Sequence, residues 1–303
     1  MLLNAADKAL WRLALPMIFS NITVPLLGLV DTAVIGHLDS PLYLGGVAVG
    51  ATATSFLFML LLFLRMSTTG LTAQAWGAKD PQRLARALVQ PLALALGAGV
   101  LIILLRLPLI DLALHIVGGS EAVLEQARRF LEIRWLSAPA SLANLVLLGW
   151  LLGVQYARAP VILLVVGNLL NIVLDLWLVM GLRMNVQGAA LATVTAEYAT
   201  LIIGLLMAKR VLTLRGVSLA MLKNAWRGDL RRLLALNRDI MLRSLLLQLC
   251  FGALTVFGAV GSAASRAERP PPGGATARAD DGGRRVRPPL YFFAGARRIV
   301  QLK

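Results

Sequence analysis

The chain has 303 residues, of which 58% are hydrophobic and only 15% are charged, and its mean hydropathy is +0.76. A soluble globular protein of this length needs far more charge to cover its surface, so the composition predicts an integral membrane protein. The formal net charge of +15 lies mostly in residues 209–238 and in the stretch from Ser262 onward. Basic loops beside apolar runs follow from the positive-inside rule, so the charge does not require a nucleic-acid partner.

Seven apolar runs are long enough to cross a bilayer, which takes about 20 helical residues. They are predicted at Leu10–Gly36, Leu44–Ala73, Leu84–Leu105, Phe130–Val154, Pro160–Gly181, Val186–Ala208 and Asp239–Val260. The loops after the second, fourth and sixth runs are the richer ones in Lys and Arg, which places the N-terminus in the cytoplasm. The connection Leu107–Arg129 is predicted to form a short interfacial helix, a Gly-Gly turn and an amphipathic lead-in to the fourth span.

The composition divides the chain into four parts: a six-helix transmembrane lobe (1–208), a basic cytoplasmic connector (209–238), a seventh transmembrane helix (239–260) and a C-terminal tail (261–303). The tail is rich in Arg, Pro, Gly and Ala, cannot bury enough apolar surface to fold, and is predicted to be disordered. It is either a basic cytoplasmic tail or the product of out-of-frame translation. The topology favours the second explanation, because the seventh span would deliver these basic residues to the outside.

The first predicted span contains one carboxylate, Asp31, in the apolar run LLGLVDTAVIGHL. A carboxylate in hydrocarbon costs roughly 2.5–3.5 kcal/mol on insertion scales, so it persists where a bundle interior or a water-filled cavity receives it. Alternatively, its side chain reaches the headgroups from a helix end. Counting along the helices places Asp175 and Thr193 at the same depth as Asp31, with Asn171 one turn from Asp175 on the same face.

Two carboxylates in a low-dielectric cavity can bind and release a proton, or accept Na⁺, near neutral pH. The cluster of Asp31, Asn171, Asp175 and Thr193 is therefore a candidate site for exchanging an inorganic cation, H⁺ or Na⁺, for a cationic substrate. The alternative is that the polar side chains of the fifth and sixth spans only join neighbouring helices.

Two further charges, Arg65 and Glu197, lie deeper in the second and sixth predicted spans. An unpaired charge at that depth is costly, so we expect these two residues to form a buried ion pair. The sequence contains no phosphate-binding glycine loop, metalloprotease helix or nucleophile elbow. Neither an enzyme activity nor a cofactor is therefore expected, and the one metal ion considered is Na⁺ at the Asp31 and Asp175 cluster.

Several motifs occur together and in order: LALPMIFSNI, GLVDTAVIGHL, LTAQAWGAKD, NLLNIVLDLWLV and QGAALATVTAEY. Together they resemble the DinF-like bacterial branch of the multidrug and toxic compound extrusion (MATE) family, over nearly all of the chain from Leu10 to about Val256. The resemblance implies an all-α, multi-pass inner-membrane antiporter that exports drugs and other toxic, often cationic, organic compounds in exchange for H⁺ or Na⁺.

The resemblance also implies roles for single residues. Asp31 matches the family's first-helix carboxylate, and Pro16 matches its bend-forming proline. Asn171 and Asp175 match the fifth-helix pair, and Thr193 matches the sixth-helix hydroxyl of the cation site in the N-terminal lobe. In the family mechanism, protonation of Asp31 would bend the first helix at Pro16, shrink the cavity of the lobe and expel the substrate.

Members of the family have twelve spans in two six-helix lobes, so this chain is expected to be truncated after the N-terminal lobe. Its expected partners are the lipid bilayer, small amphiphilic or cationic organic substrates, and either a second copy or the missing C-terminal lobe. One alternative is a non-transporting fragment. A third and weaker alternative is a lipid-linked saccharide flippase of the same superfamily. An arginine-lined cavity would favour it, but Arg65 is the only basic residue deep in a predicted span.

Overall fold

The computed structural model describes residues 33–37, 40–156 and 158–227, together with residues 230–231, 233–235, 237–243, 245–247 and 250. All of them belong to the first of the two units into which contacts divide the chain, Met1–Phe251. The predictions for Pro16, Asp31 and the tail lie outside the described residues. The same is true of most of the first predicted span and of the end of the seventh.

The described part of the chain is helical and contains no strand. Its helices are α1 (Pro41–Leu61), α2 (Phe63–Gly77), α3 (Pro81–Leu104), α4 (Arg106–Val117), α5 (Glu121–Arg134), α6 (Ala138–Gly153), α7 (Arg158–Asp175), α8 (Asn185–Leu214) and α9 (Leu219–Asn224). A 3₁₀ turn, Trp135–Ser137, joins α5 to α6, and a π-helix, Leu176–Gly181, continues α7. Residues 33–36 and the described residues between 230 and 250 are also helical.

Five helical runs in the described part are long and apolar enough to cross a membrane. They are Pro41–Gly77, Pro81–Leu104, Glu121–Gly153, Arg158–Gly181 and Asn185–Leu214. These runs confirm the second to sixth predicted spans and the all-α membrane class. The predicted order of helix, Gly-Gly turn and helix before the fourth span is also confirmed, since α4 and α5 flank a turn at Gly118 and Gly119.

Local chemistry explains where several helices begin. Ser40 accepts a hydrogen bond from the backbone N–H of Leu42 at 3.3 Å, and Asp80 accepts from the N–H groups of Gln82 and Arg83 at 3.0 and 3.1 Å. A proline follows each of these caps, where its missing N–H has no cost and its fixed φ suits the first helical residue. These caps fix the start of α1 and of α3.

Helix α8 extends six residues beyond Ala208, the predicted end of the sixth span. The added turn and a half contains Val211, Leu212 and Leu214, and Leu212 is 5% exposed. Leu212 belongs to an apolar cluster with Trp150 and Leu163, so packing stabilises the extension. The Lys and Arg residues in it are good helix formers and do not stop the helix.

The fourth run, α5 to α6, is the centre of the described bundle. Two thirds of the residues in its most apolar stretch (67%) are buried, against 22–39% for the same kind of stretch in the other four runs. Helix α5 packs against α1 and α8, and α6 packs against α2, α3 and α8. Two indoles of this run are fully buried with their N–H groups satisfied: Trp135 donates to the Thr54 hydroxyl at 3.1 Å and Trp150 to the Leu84 carbonyl at 3.2 Å.

Glycines allow the central run to approach its neighbours at backbone distance. A Cβ added to Gly99 of α3 would lie 2.3 Å from the Pro139 Cα, and one added to Gly149 of α6 would lie 2.6 Å from the Arg65 carbonyl oxygen. Backbone atoms cannot swing away as the end of a side chain can. Such close contacts between small residues are how helices associate in a bilayer, where no hydrophobic force drives them together.

A Gly99→Ala substitution is therefore expected to destabilise the bundle by about 1–3 kcal/mol, because the added methyl group forces α3 away from α6. Thermal unfolding in detergent micelles measures the effect. Gly97→Ala is the matched control on the same helix, because a Cβ there meets nothing within 4 Å. Equal losses of stability in the two variants would contradict the close contact between α3 and α6.

Candidate functional site

The end of α7 carries a buried carboxylate beside a buried amide. Asp175 is 2% exposed and Asn171 is 3% exposed. The Asn171 Nδ2 donates a hydrogen bond to the Asp175 Oδ2 at 3.1 Å, because residues four apart stack on one face of a helix. Carboxylate and amide oxygens are ligands that hard cations such as Na⁺ favour, and a carboxylate can also take up a proton.

The helix changes its hydrogen-bonding pattern directly after Asp175. Residues Leu176–Gly181 form a π-helix, which closes with a hydrogen bond of 2.9 Å from the Leu182 N–H to the Trp177 carbonyl. Such π segments are rare and occur frequently at functional sites. No proline marks this segment in the sequence, and the sequence analysis did not predict it.

A third polar residue of α7, Asn168, lies on the same stripe as Asn171 and Asp175. The spacing of three and then four residues places all three on one face of the helix. The Asn168 Nδ2 is buried and has no hydrogen-bond partner in the part of the chain that the structure describes. The sequence analysis missed this residue, although the motif NLLNIVLD contains the spacing that identifies it.

Thr193 lies on α8, the helix against which α7 and the π-helix pack. Its hydroxyl donates a hydrogen bond of 3.1 Å to the Ala189 carbonyl of its own helix. A hydroxyl that donates its one proton still has oxygen lone pairs to offer as an acceptor. The structure thus brings the helix of Thr193 to the helix of Asp175, while the hydrogen bond that the Thr193 hydroxyl donates stays within α8.

Asp31 and Pro16 lie outside the described residues, but the chain directly after Asp31 is described. Val34 and Ile35 are 6% and 2% exposed. They belong to one apolar cluster with Val179 of the π-helix and with Val186 and Ala189 of α8. Residues that follow Asp31 and residues that follow Asp175 therefore belong to one continuous apolar cluster, which also includes residues of α1 to α6.

Glu197 forms its ion pair with Arg134, so the expected pairing with Arg65 is wrong. The Arg134 guanidinium meets the Glu197 carboxylate through two contacts, 2.8 Å from Nη2 to Oε1 and 3.2 Å from Nη1 to Oε2. The two side chains are 11% and 23% exposed. The physical reason is the packing order: α2, which carries Arg65, packs against α3 and α6, whereas α8 packs against α5, α6 and α7.

Further polar groups surround this pair. The Ser141 hydroxyl donates to the Glu197 carboxylate, the Asn144 Nδ2 donates to the Glu197 backbone carbonyl at 3.0 Å, and the Arg134 guanidinium lies 5.6 Å from the ring centroid of Phe58. Arg134, Ser141 and Asn144 share one face of the fourth run. Their spacing of seven and three residues is the signal by which the sequence analysis could have found them.

The pairing predicts a specific coupling of stabilities. Arg134→Met and Glu197→Gln should each destabilise the protein by about 3 kcal/mol in detergent unfolding, since each leaves the remaining charge without its opposite charge. The double variant should lose less than the sum of the two. The matched cycle with Arg65→Met and Glu197→Gln should be additive within about 0.5 kcal/mol, and coupling there instead would restore the original expectation.

Comparisons with known proteins agree with this architecture. The chain is 88% identical over 257 residues to the DNA damage-inducible protein F of Escherichia coli K12, covering 85% of this chain and 56% of that protein. It is 29% identical to a probable multidrug resistance protein NorM of Thermotoga maritima, covering 63% of this chain and 42% of that protein. A solved MOP superfamily transporter from Pyrococcus furiosus superposes with a TM-score of 0.69 at 27% identity, covering 82% of this chain and 54% of that one.

The chain spans about half the length of these relatives. The family model MatE matches residues 16–177. That range begins at the predicted bend-forming proline and ends in the π-helix after Asp175. Because the matched residues make up more than half of the 303 in the sequence, the chain belongs to the MatE family.

Proposed function

We propose that this chain is the N-terminal lobe of a secondary antiporter that exports small, often cationic, organic compounds in exchange for H⁺ or Na⁺. The observation that carries the proposal is the almost fully buried Asp175, held by Asn171 at the end of a membrane-length helix. Ionisable residues inside membrane spans are rare and mark ion or substrate pathways. The names of the relatives as multidrug resistance proteins support the substrate class.

The mechanism follows from charge balance at that carboxylate. In a low-dielectric interior, a proton, a Na⁺ ion or a cationic substrate each stabilise the site, and they compete for it because each supplies the same positive charge. Asp31, on the first span, is proposed as the second carboxylate, with Thr193 as an oxygen ligand from α8. Protonation of Asp31 would bend the first helix at Pro16 and expel the substrate from the lobe.

A complete transport cycle needs a second lobe, because transporters of this kind move one half against the other around a shared site. We propose that this lobe is a C-terminal half or a second copy of the chain. The proposed location is the bacterial inner membrane, with a cytoplasmic N-terminus. The competing interpretation is a fragment that folds in the membrane and transports nothing.

The flippase alternative is weaker than these two. It requires a cavity with net positive charge, to hold a substrate that carries phosphate groups. Away from the ends of the membrane runs, the structure adds a second basic residue, Arg134, but the Glu197 carboxylate neutralises it. The polar stripe of α7 combines the Asp175 carboxyl with the amides of Asn168 and Asn171, groups that suit a cation better than a substrate with phosphate groups.

Efflux of a cationic dye from cells that express the chain, in a host without its own exporter for that dye, tests the proposal. Asp31→Asn and Asp175→Asn should reduce efflux to background, because neither variant can exchange cations at the carboxylate. Asp111→Asn is the matched control, since that exposed carboxylate pairs with Arg128 outside the site. Background efflux from the unaltered chain as well would support the inert fragment.

Competition for the site distinguishes the coupling ions. Binding of a cationic dye to the purified chain in detergent should weaken as the pH falls if H⁺ is the coupling ion, and should weaken with added Na⁺ at constant pH if Na⁺ is. The reason is that each ion displaces the dye from the same carboxylate. Asp175→Asn should abolish either dependence. Dye binding that responds to neither ion would contradict the exchange mechanism.

A further inference from the structure

A small pocket, lined by both polar and apolar side chains, lies at the end of the bundle where α2 ends and α3 begins. Its volume is about 160 Å³, roughly ten times the space that one water molecule requires. The lining includes Gln74 of α2, Arg83, Arg86 and Gln90 of α3, and Leu233. Two arginines and two glutamines therefore line one cavity, and no acidic residue is among its described lining residues.

The two arginines differ in whether an acidic group lies beside them. Arg83 lies beside an acidic group, with its Nε 3.3 Å from the Asp80 Oδ2. Arg86 forms no ion pair with the described residues, and its Nε is buried without a hydrogen-bond partner. A buried donor on a charged group is unfavourable when it is unpaired, so an acceptor that enters the pocket would be stabilised by it. The ligand that fits this lining is an anion.

The depth of the pocket narrows the choice of anion. Arg86 is five residues beyond Pro81, about 7.5 Å along the helix axis from its first residue. Helix α3 has 24 residues and is about 36 Å long, whereas the hydrocarbon core is about 30 Å thick. The excess of about 6 Å covers roughly the first turn of α3. Helical side chains point toward the N-terminus of their helix, so the long Arg86 side chain can reach the headgroup level from the second turn. The anions abundant there carry phosphate.

We infer that this pocket binds a phosphate group, with the Arg86 guanidinium as the main donor and Arg83 beside it. The planar guanidinium matches phosphate oxygens through paired hydrogen bonds, and basic pockets between membrane helices bind anionic headgroups. The phosphate belongs either to an anionic phospholipid or to free inorganic phosphate. The inference is independent of the proposed antiport.

The pocket wall also reaches the segment that follows α9. The Gln90 Nε2 donates a hydrogen bond of 3.2 Å to the Ala225 carbonyl, and Leu233 closes another side of the cavity. A bound phosphate therefore lies between α3 and this segment. Binding should stabilise the folded chain, because a ligand that binds only the folded state shifts the unfolding equilibrium.

The test measures the thermal unfolding midpoint of the purified chain in neutral detergent micelles. One titration adds short-chain phosphatidylglycerol, and a second adds inorganic phosphate at constant ionic strength. The midpoint should rise and saturate in at least one of them. A response to the lipid alone identifies a headgroup, and a response to both identifies phosphate in general. No saturable rise in either titration would overturn the inference.

Two substitutions at Arg86 and one control locate the effect. Arg86→Gln should raise the ligand concentration for half-maximal effect about tenfold, because it removes the charge and the paired donors. Arg86→Lys keeps the charge but lacks the Nε donor. Its half-maximal ligand concentration should lie between those of the unaltered chain and of Arg86→Gln. Arg158→Gln removes an exposed charge at the same end, outside the pocket, and should behave like the unaltered chain. An equal loss in Arg158→Gln, or none in Arg86→Gln, would overturn the inference.

Discussion

Close backbone packing around the central run Glu121–Gly153 is the contact on which the rest of the described bundle depends. In hydrocarbon, helices gain nothing from burying apolar surface against each other, so they associate through tight van der Waals contact. Gly99 brings α3 against the backbone of Pro139, and Gly149 brings α6 against the carbonyl of Arg65. The lack of room for a Cβ at these points fixes the spacing of three helices.

The described bundle holds two intramembrane carboxylates, Glu197 and Asp175, with different contacts around them. Glu197 has a guanidinium within 3 Å and a hydroxyl beside it, so it joins the fourth and sixth spans as a fixed structural element. Asp175 lies beside an amide at the junction of an α-helix and a π-helix. In the proposed antiport, Glu197 stabilises the fold through its ion pair and Asp175 exchanges the cation.

Hydropathy predicted the second to sixth spans because each must cover the same thickness of hydrocarbon. That thickness sets the length of an apolar run, which can be counted in the sequence. The helical register likewise predicted that Asn171 and Asp175 share a face. The partner of Glu197 could not be predicted in this way, because depth along a helix says nothing about which helices are neighbours. The π-helix also left no mark in the sequence, since its hydrogen bonds depend on how α7 packs against α8. The placement of Asp31 and Pro16 remains a prediction from the sequence.

The extension of α8 to Leu214 has a mechanical consequence. Thirty residues make a rod of about 45 Å, so about 15 Å of it lies beyond a hydrocarbon core of about 30 Å. Lys209 and Arg210 are exposed on this last part of α8. Arg215 directly follows the helix, and its guanidinium lies 3.5 Å from the ring centroid of Trp76 at the end of α2. A long helix responds to a change of bilayer thickness by changing its tilt. Hydrophobic mismatch at α8 would therefore be transmitted to Thr193 and Glu197, which lie on the same rod.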